Sequence, residues 1–154
     1  MIIASRLCRP AHAAFDGAGG LLRAGRWHER GHPVVYAAGS EALAALEILV
    51  HLSSVGQFPE YICIKASIPE SLVLDIRDFD RLPDDWKRRD PGETRAIGTR
   101  WLREAGSAVL KVPSIVIPRE PNYVMNPAHP RFPEIELSKP LEFEFDVRLL
   151  AGTL

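Results

Sequence analysis

Gly25-Arg26-Trp27-His28-Glu29-Arg30-Gly31-His32-Pro33-Val34-Val35-Tyr36, running on to Ser40-Glu41-Ala42-Leu43-Ala44-Ala45-Leu46-Glu47, is the stretch that decides how this chain folds. The first part is turn-rich, with a glycine at each end. Val34-Val35-Tyr36 then reads as a short apolar strand, within a segment from Pro33 to Ala38. Ser40 suits a helix N-cap, Glu41 suits the first turn, and the run from Glu41 to Leu52 is rich in helix formers. Leu43, Leu46 and Val50 share one face at helical spacing and are expected to be buried. Glu47 lies at the edge of that face. A carboxylate there costs free energy unless it is partnered or borders a cleft. By position alone, a rim glutamate whose head reaches water is slightly favoured, because long charged side chains snorkel. The residue types suit a ligand with both phosphate and ring groups. An arginine fork matches phosphate oxygens, an aromatic ring offers a stacking face, and a carboxylate stabilises positive charge developing on a sugar.

Outward from this stretch, Ile2 to Cys8 reads as a first strand and Pro10 to Gly20 as a loop of small residues. Gly17, Gly19 and Gly20 do not fit a dinucleotide fingerprint, G-x-G-x-x-G between strand and helix. Tyr61 to Ile68 and Leu72 to Ile76 read as strands, and residues 77 to 91 as an exposed connection holding Trp86. Glu93 to Ala105 is a second helix, ended near Gly106. Ala108 to Val112 is a strand broken at Pro113, and Asn122 to Pro130 is polar and turn-like. In the segment from Glu142 to Leu150, Phe143, Phe145, Val147 and Leu149 alternate with charged residues, the pattern of a half-buried strand. The 13 prolines cut the chain into short elements. The expectation is one mixed α+β domain over residues 1–154, with a strongly bent sheet and two main helices.

The 154 residues suffice for one domain with a core, and 46% hydrophobic with 25% charged residues is ordinary for a soluble globular protein. A net charge of −1 gives no global argument for nucleic acid. Positive charge is nevertheless uneven: Arg6, Arg9, Arg23, Arg26 and Arg30 fall early, where acids are few. That excess suits an anionic small molecule, and a solvated surface accounts for it equally well. Cys8 and Cys63 sit in apolar strands and are expected as buried free thiols in a reducing compartment. His28 and His32 lie near each other, but no Cys, Asp or Glu pair completes a ligand set, so no metal site is expected. The start lacks the apolar stretch of a signal peptide, and no apolar run approaches the roughly 20 residues of a membrane span. A cytoplasmic protein is expected.

Several short motifs carry a resemblance in their order and spacing. They are Ser5-Arg6-Leu7; Gly25-Arg26-Trp27-His28 with Gly31; the strand ending in Tyr36; Ala44-Ala45-Leu46-Glu47; Val112-Pro113-Ser114; Asn122; Asn126-Pro127 with His129-Pro130; and Asp146-Val147-Arg148-Leu149. In these the chain resembles, over nearly its whole length, the RES-domain toxins of Xre–RES toxin–antitoxin pairs. It departs at His28, where that family usually has Asn. The resemblance implies an ADP-ribosyltransferase-like fold, NAD as substrate, and the role of toxin in a type II toxin–antitoxin pair. It also implies a helix-turn-helix antitoxin that covers the active site in a hetero-oligomer. The family's Arg, Glu and Ser would be Arg26 or Arg6, Glu47 and Ser114.

On that premise the nicotinamide–ribose bond breaks much as a glycosidic bond does, with oxocarbenium character on the ribose. Arg26 and Arg6 are the candidates for phosphate binding, Tyr36 for stacking on nicotinamide, and Ser114 for a hydrogen bond to ribose or carboxamide. Glu47 would stabilise the cation or position the attacking water or phosphate. Each has a plainer alternative. Arg6 suits a salt bridge at a strand end, Trp27 and Tyr36 suit the core, and His28 suits a bond to loop backbone. Ser114, Asn126 and His129 suit turns. Two further functions stand beside NAD cleavage: ADP-ribosylation of a protein target, and a non-catalytic interaction module using the basic N-terminal loop. Glu41, upstream of Glu47 and at the helix start, is poorly placed as a second acid, which mildly favours water or phosphate as acceptor.

Overall fold

The computed structural model describes residues 1–52, 59–87 and 90–149. In chain order its strands are β1 (Ile2–Cys8), β2 (Val35–Ala38), β3 (Tyr61–Ile68), β4 (Val73–Asp75), β5 (Val109–Pro113), β6 (Pro121–Met125), β7 (Glu136–Leu137) and β8 (Leu141–Phe143). Its helices are α1 (Ala18–Leu22), α2 (Glu41–Leu49), α3 (Ile76–Phe79) and α4 (Gly92–Glu104). The strands form one curled sheet in the order β4-β5-β6-β2-β1-β3-β7, with β8 also paired to β3. Among the described residues only β4 and β5 run parallel, joined through α3 and α4, as a parallel pair requires a long crossover. β1 pairs with β3 along its full length, from Ile2 opposite Ile68 to Cys8 opposite Ile62. The sheet is therefore mixed, with α2 and α4 as its two main helices, as the sequence led us to expect.

Side chains alternate across the sheet. Ala4, Val35, Ala37, Ile64, Ile68, Val109 and Met125 pack into one core on the first face. On the opposite face Leu110, Val112 and Val124 pack with Trp27 and with Trp101 of α4. On that same face Ala38 packs with Leu43 and Ala44 of α2. Both main helices thus cover the face to which Tyr36 belongs. Cys8 and Cys63 are buried and free, and burial pushes both thiols up. No helix among the described residues is long and apolar enough to cross a membrane.

Several expectations need correction. α2 buries Leu43, Ala44 and Ala45, while Leu46 is 37% and Val50 59% exposed. The close approach of α2 to the sheet favours small alanines over the larger stripe. The loop from Pro10 to Gly20 contains a 3-10 turn at Pro10–His12 and the start of α1. Asn122 to Met125 is not a turn but most of β6, paired on both sides with β5 and β2. Pro121 sits at its first residue, where a missing N–H is tolerated, and masked the apolar Tyr123-Val124-Met125 behind it. Residues 77 to 91 are not simply exposed. Phe79, Leu82 and Trp86 pack on the α4-side core, and residues 88 and 89 lie outside the described residues. The last strand ends at Phe143. Asp146 Oδ1 accepts the Arg148 N–H at 2.9 Å and turns the chain into a 3-10 segment, leaving Val147 and Leu149 exposed. Leu150 lies outside the described residues.

Candidate functional site

Ser40 caps α2 by accepting the Leu43 N–H at 3.1 Å, which sets the helix start and hence the azimuth of Glu47. Glu47 lies partly buried where α2 passes the ends of β5 and β6. Its Oε1 accepts from Ser114 Oγ at 2.7 Å and from Asn122 Nδ2 at 2.7 Å. Ser114 is 0% exposed, and its hydroxyl also accepts from the Val116 and Ile117 N–H groups, both at 3.1 Å. The serine is thus fully committed: its proton goes to Glu47 and its lone pairs to a turn. No hydrogen bond among the described residues engages Glu47 Oε2. The carboxylate is held by one oxygen and offers the other. Asn122 Oδ1 is a buried acceptor with no partner among the described residues. That orientation is the one that keeps the amide's donor on the carboxylate.

Arg26 comes from the loop before β2. Its Nη1 donates to the Trp86 carbonyl at 3.2 Å. Burial lowers its pKa, the charge of Glu47 opposes that shift, and nearby Arg95 adds to it. Glu47 and Arg26 therefore feel each other electrostatically.

The loop that carries Arg26 is heavily tied down. Gly25 N–H bonds the His28 carbonyl at 3.0 Å. From α4, Thr94 Oγ1 donates to the Arg26 carbonyl at 2.9 Å and Arg95 Nε to the Gly25 carbonyl at 2.9 Å. The Glu29 N–H in turn donates to Thr99 Oγ1 at 2.9 Å. Gly98 makes this approach possible, since a Cβ there would stand 1.8 Å from the Trp27 carbonyl oxygen. Trp27 itself is core, with its ring 6.2 Å from that of Trp86.

His28 and Tyr36 form a second fixed unit. His28 Nε2 lies 2.8 Å from the Arg23 carbonyl, so Nε2 carries the proton, and Nδ1 accepts from the Tyr36 hydroxyl at 2.6 Å. The same hydroxyl accepts the Trp27 N–H at 3.3 Å. Burial pushes the Tyr36 phenol far above its ordinary value and holds the His28 imidazole below its own. The tyrosine hydroxyl is spent on the loop, which leaves its ring as the part available to a ligand.

Arg26, Tyr36, Glu47 and Ser114 are thus held on the helix-covered side of the sheet. Arg6 is not with them. Alternation sends it with Ala4 and Cys8 to the other face, where Nη1 bonds the Ala14 carbonyl at 3.2 Å and the guanidinium lies 5.2 Å over the Phe15 ring. Asn126 serves a turn, accepting the Ala128 N–H at 3.0 Å. Sequence reasoning missed Asn122 as the second donor to Glu47, although it quoted the residue. It missed Arg95 and the two threonines altogether, since on a charged helix they read as solvated surface. Gly98, mid-helix, was a usable signal for a close approach.

A profile of the RES domain matches residues 3–146. A protein named Toxin Res from Photorhabdus laumondii is 39% identical over 153 residues, covering 97% of each chain. The Prs ADP-ribosylating toxin of a Sphingobium species is 34% identical over 138 residues, covering 88% of this chain and 86% of that one. Among solved structures, a chain of the M. tuberculosis MbcT–MbcA toxin–antitoxin complex superposes with a TM-score of 0.75 at 16% identity, over 92% of this chain and 84% of its own. That likeness concerns the fold alone.

Proposed function

This chain belongs to the RES-domain family, and we propose that it is the toxin of a toxin–antitoxin system and acts by cleaving the nicotinamide–ribose bond of NAD. The observation that carries this reading is Glu47, pinned through Oε1 by Ser114 and Asn122 with Oε2 left open beside a half-buried arginine. In NAD the nicotinamide ring already carries a positive charge, and it departs neutral by taking the electron pair of the broken bond, so the reaction needs no general acid. It needs a fixed negative charge beside the ribose as oxocarbenium character develops, and a pre-oriented carboxylate supplies that without reorganising. Arg26 would take the diphosphate through its fork. The Tyr36 ring would bear on the nicotinamide, and Ser114 would act through Glu47 as a positioning residue. The acceptor is water or phosphate, and the action belongs in the cytoplasm, where the NAD pool lies. A helix-turn-helix antitoxin is the partner that would hold the site closed in a hetero-oligomer.

A second reading has a specific observation in its favour. One relative is named an ADP-ribosylating toxin. Transfer to a protein would use the same site with a different acceptor. Against it, Glu41, the acid upstream of Glu47, is held by Lys65 Nζ at 2.7 Å. Pure protein incubated with NAD, with and without phosphate, separates these by its products. We expect free nicotinamide together with ADP-ribose or its phosphorylated form. Labelled NAD in a lysate that marks one protein band, with no bulk loss of NAD, would reverse the ranking. Intact NAD and no labelled protein would sink both.

A further inference from the structure

Arg95 spends only its Nε on holding the Gly25 carbonyl, and the rest of its guanidinium has no task in the foregoing. It lies partly buried in the first turns of α4, at the positive end of a helix dipole, where a cation is unfavourable. Two other arginines of the same helix are answered by carboxylates: Arg100 by Asp80, and Arg103 by Glu29 at 3.8 Å. Arg95 has none among the described residues. Its Nε is fixed on the Gly25 carbonyl at 2.9 Å, and its terminal N–H groups carry no hydrogen bond among the described residues. That carbonyl belongs to the residue next to Arg26. A Cβ on Gly25 would stand 2.8 Å from the Tyr36 hydroxyl, so the carbonyl that Arg95 holds belongs to a residue packed against Tyr36 and adjacent in the chain to Arg26. Its charge bears on Arg26, His28 and Tyr36 alike. Two arginines brought together, one of them held by a single N–H with its outer edge open, form a concentration of positive charge that an anion with two charged groups would answer.

We propose that Arg95 is a substrate-binding residue, forming with Arg26 a two-arginine clamp for the diphosphate of a dinucleotide. Arg26, which feels Glu47, takes the phosphate nearer the scissile ribose, and Arg95 takes the distal one. This deepens the NAD reading and rests on it. The test is calorimetric titration of ADP-ribose and of nicotinamide riboside into wild type, Arg95→Gln and Arg95→Lys, alongside steady-state kinetics with NAD. We expect Arg95→Gln to weaken ADP-ribose by roughly tenfold to a hundredfold while leaving nicotinamide riboside, which has no phosphate, within about twofold. The KM for NAD should rise with kcat largely kept. Arg95→Lys, which retains the charge but not the fork, should recover only part of the affinity. Equal weakening of both ligands would make Arg95 only an anchor for the Gly25 carbonyl and overturn the proposal. Unchanged ADP-ribose affinity in either variant, on a wild type that binds it and cleaves NAD, would overturn the clamp alone. A wild type that neither binds ADP-ribose nor cleaves NAD would overturn the NAD reading and the clamp together.

Discussion

At residue scale, Glu47 accepts both of its hydrogen bonds on one oxygen, and that asymmetry sets what substitutions should do. Glu47→Gln keeps the shape and an acceptor for Ser114 and Asn122 but removes the charge from the open side. Turnover should fall about a hundredfold or more while NAD binding stays nearly intact. Arg26→Ala should fail the other way, with affinity down by roughly tenfold to a hundredfold. Full turnover by a folded Glu47→Gln protein would make the carboxylate a bystander. His28 supplies a separate test. Burial holds its imidazole below the ordinary value, with His32 and Arg95 adding to this and the bond to the Arg23 carbonyl opposing it. Below about pH 6.5, the ordinary histidine value, the unfolded chain therefore binds a proton that the folded one resists. Stability from neutral His28 is fully present above that pH and is lost as pH falls below it. His28→Asn offers Tyr36 an acceptor and does not titrate. Its melting temperature should move up relative to wild type between pH 7 and pH 5, and a constant difference across that range would refute the assignment. The position of Glu47 at a helix edge was legible in the sequence, but its two donors lie 67 and 75 residues away in the chain and no local pattern announces them.

At element scale, α4 is a scaffold for the loop bearing Arg26 as much as a core helix. Thr94, Arg95 and Thr99 each bond loop backbone, and Gly98 leaves room for it. Intrinsic propensity says Gly98→Ala should stabilise a helix by about 1 kcal/mol. Contact says the reverse, because the new Cβ would meet the Trp27 carbonyl oxygen at 1.8 Å and backbone must move. We expect a net loss of about 1–3 kcal/mol in denaturant unfolding and a raised KM for NAD, since the displaced loop carries Arg26. A stabilised, fully active Gly98→Ala protein would contradict the packing described. α2, with its Ser40 cap and run of helix formers, was legible, as were the strands Ile2–Cys8 and Tyr61–Ile68 with their apolar runs. β6 was hidden because its Pro121 and Asn122 are turn-forming types, and its identity as a strand comes from the two neighbours that pair with it. The face of α2 was misjudged for a related reason: helical spacing names a stripe, but the distance to the sheet decides whether leucines or alanines occupy it.

At the scale of the whole molecule, the site is assembled from segments far apart in sequence but joined by one sheet. Arg26 and Tyr36 flank the entry to β2, Glu47 follows on α2, Ser114 follows β5, and Asn122 lies in β6. β2 is the strand between β6 and β1, so the residues that hold Glu47 and the loop that holds Arg26 share a common frame. Ligand binding should therefore be felt by the entire fold. A non-hydrolysable NAD analogue at about a hundred times its dissociation constant adds roughly 2.7 kcal/mol to a protein that binds it only when folded. For a chain of 154 residues this corresponds to a rise in melting temperature of roughly 5–10 °C. The rise should appear in a single transition, because no part of the sheet is independent of the strands that carry the site. Glu47→Gln should show nearly the same rise as wild type, and Arg26→Ala much less, matching their expected failures in turnover and in binding. A melting temperature that does not move in wild type would favour a non-catalytic interaction module. Two transitions of which only one moves would show that residues 1–154 do not unfold as one domain.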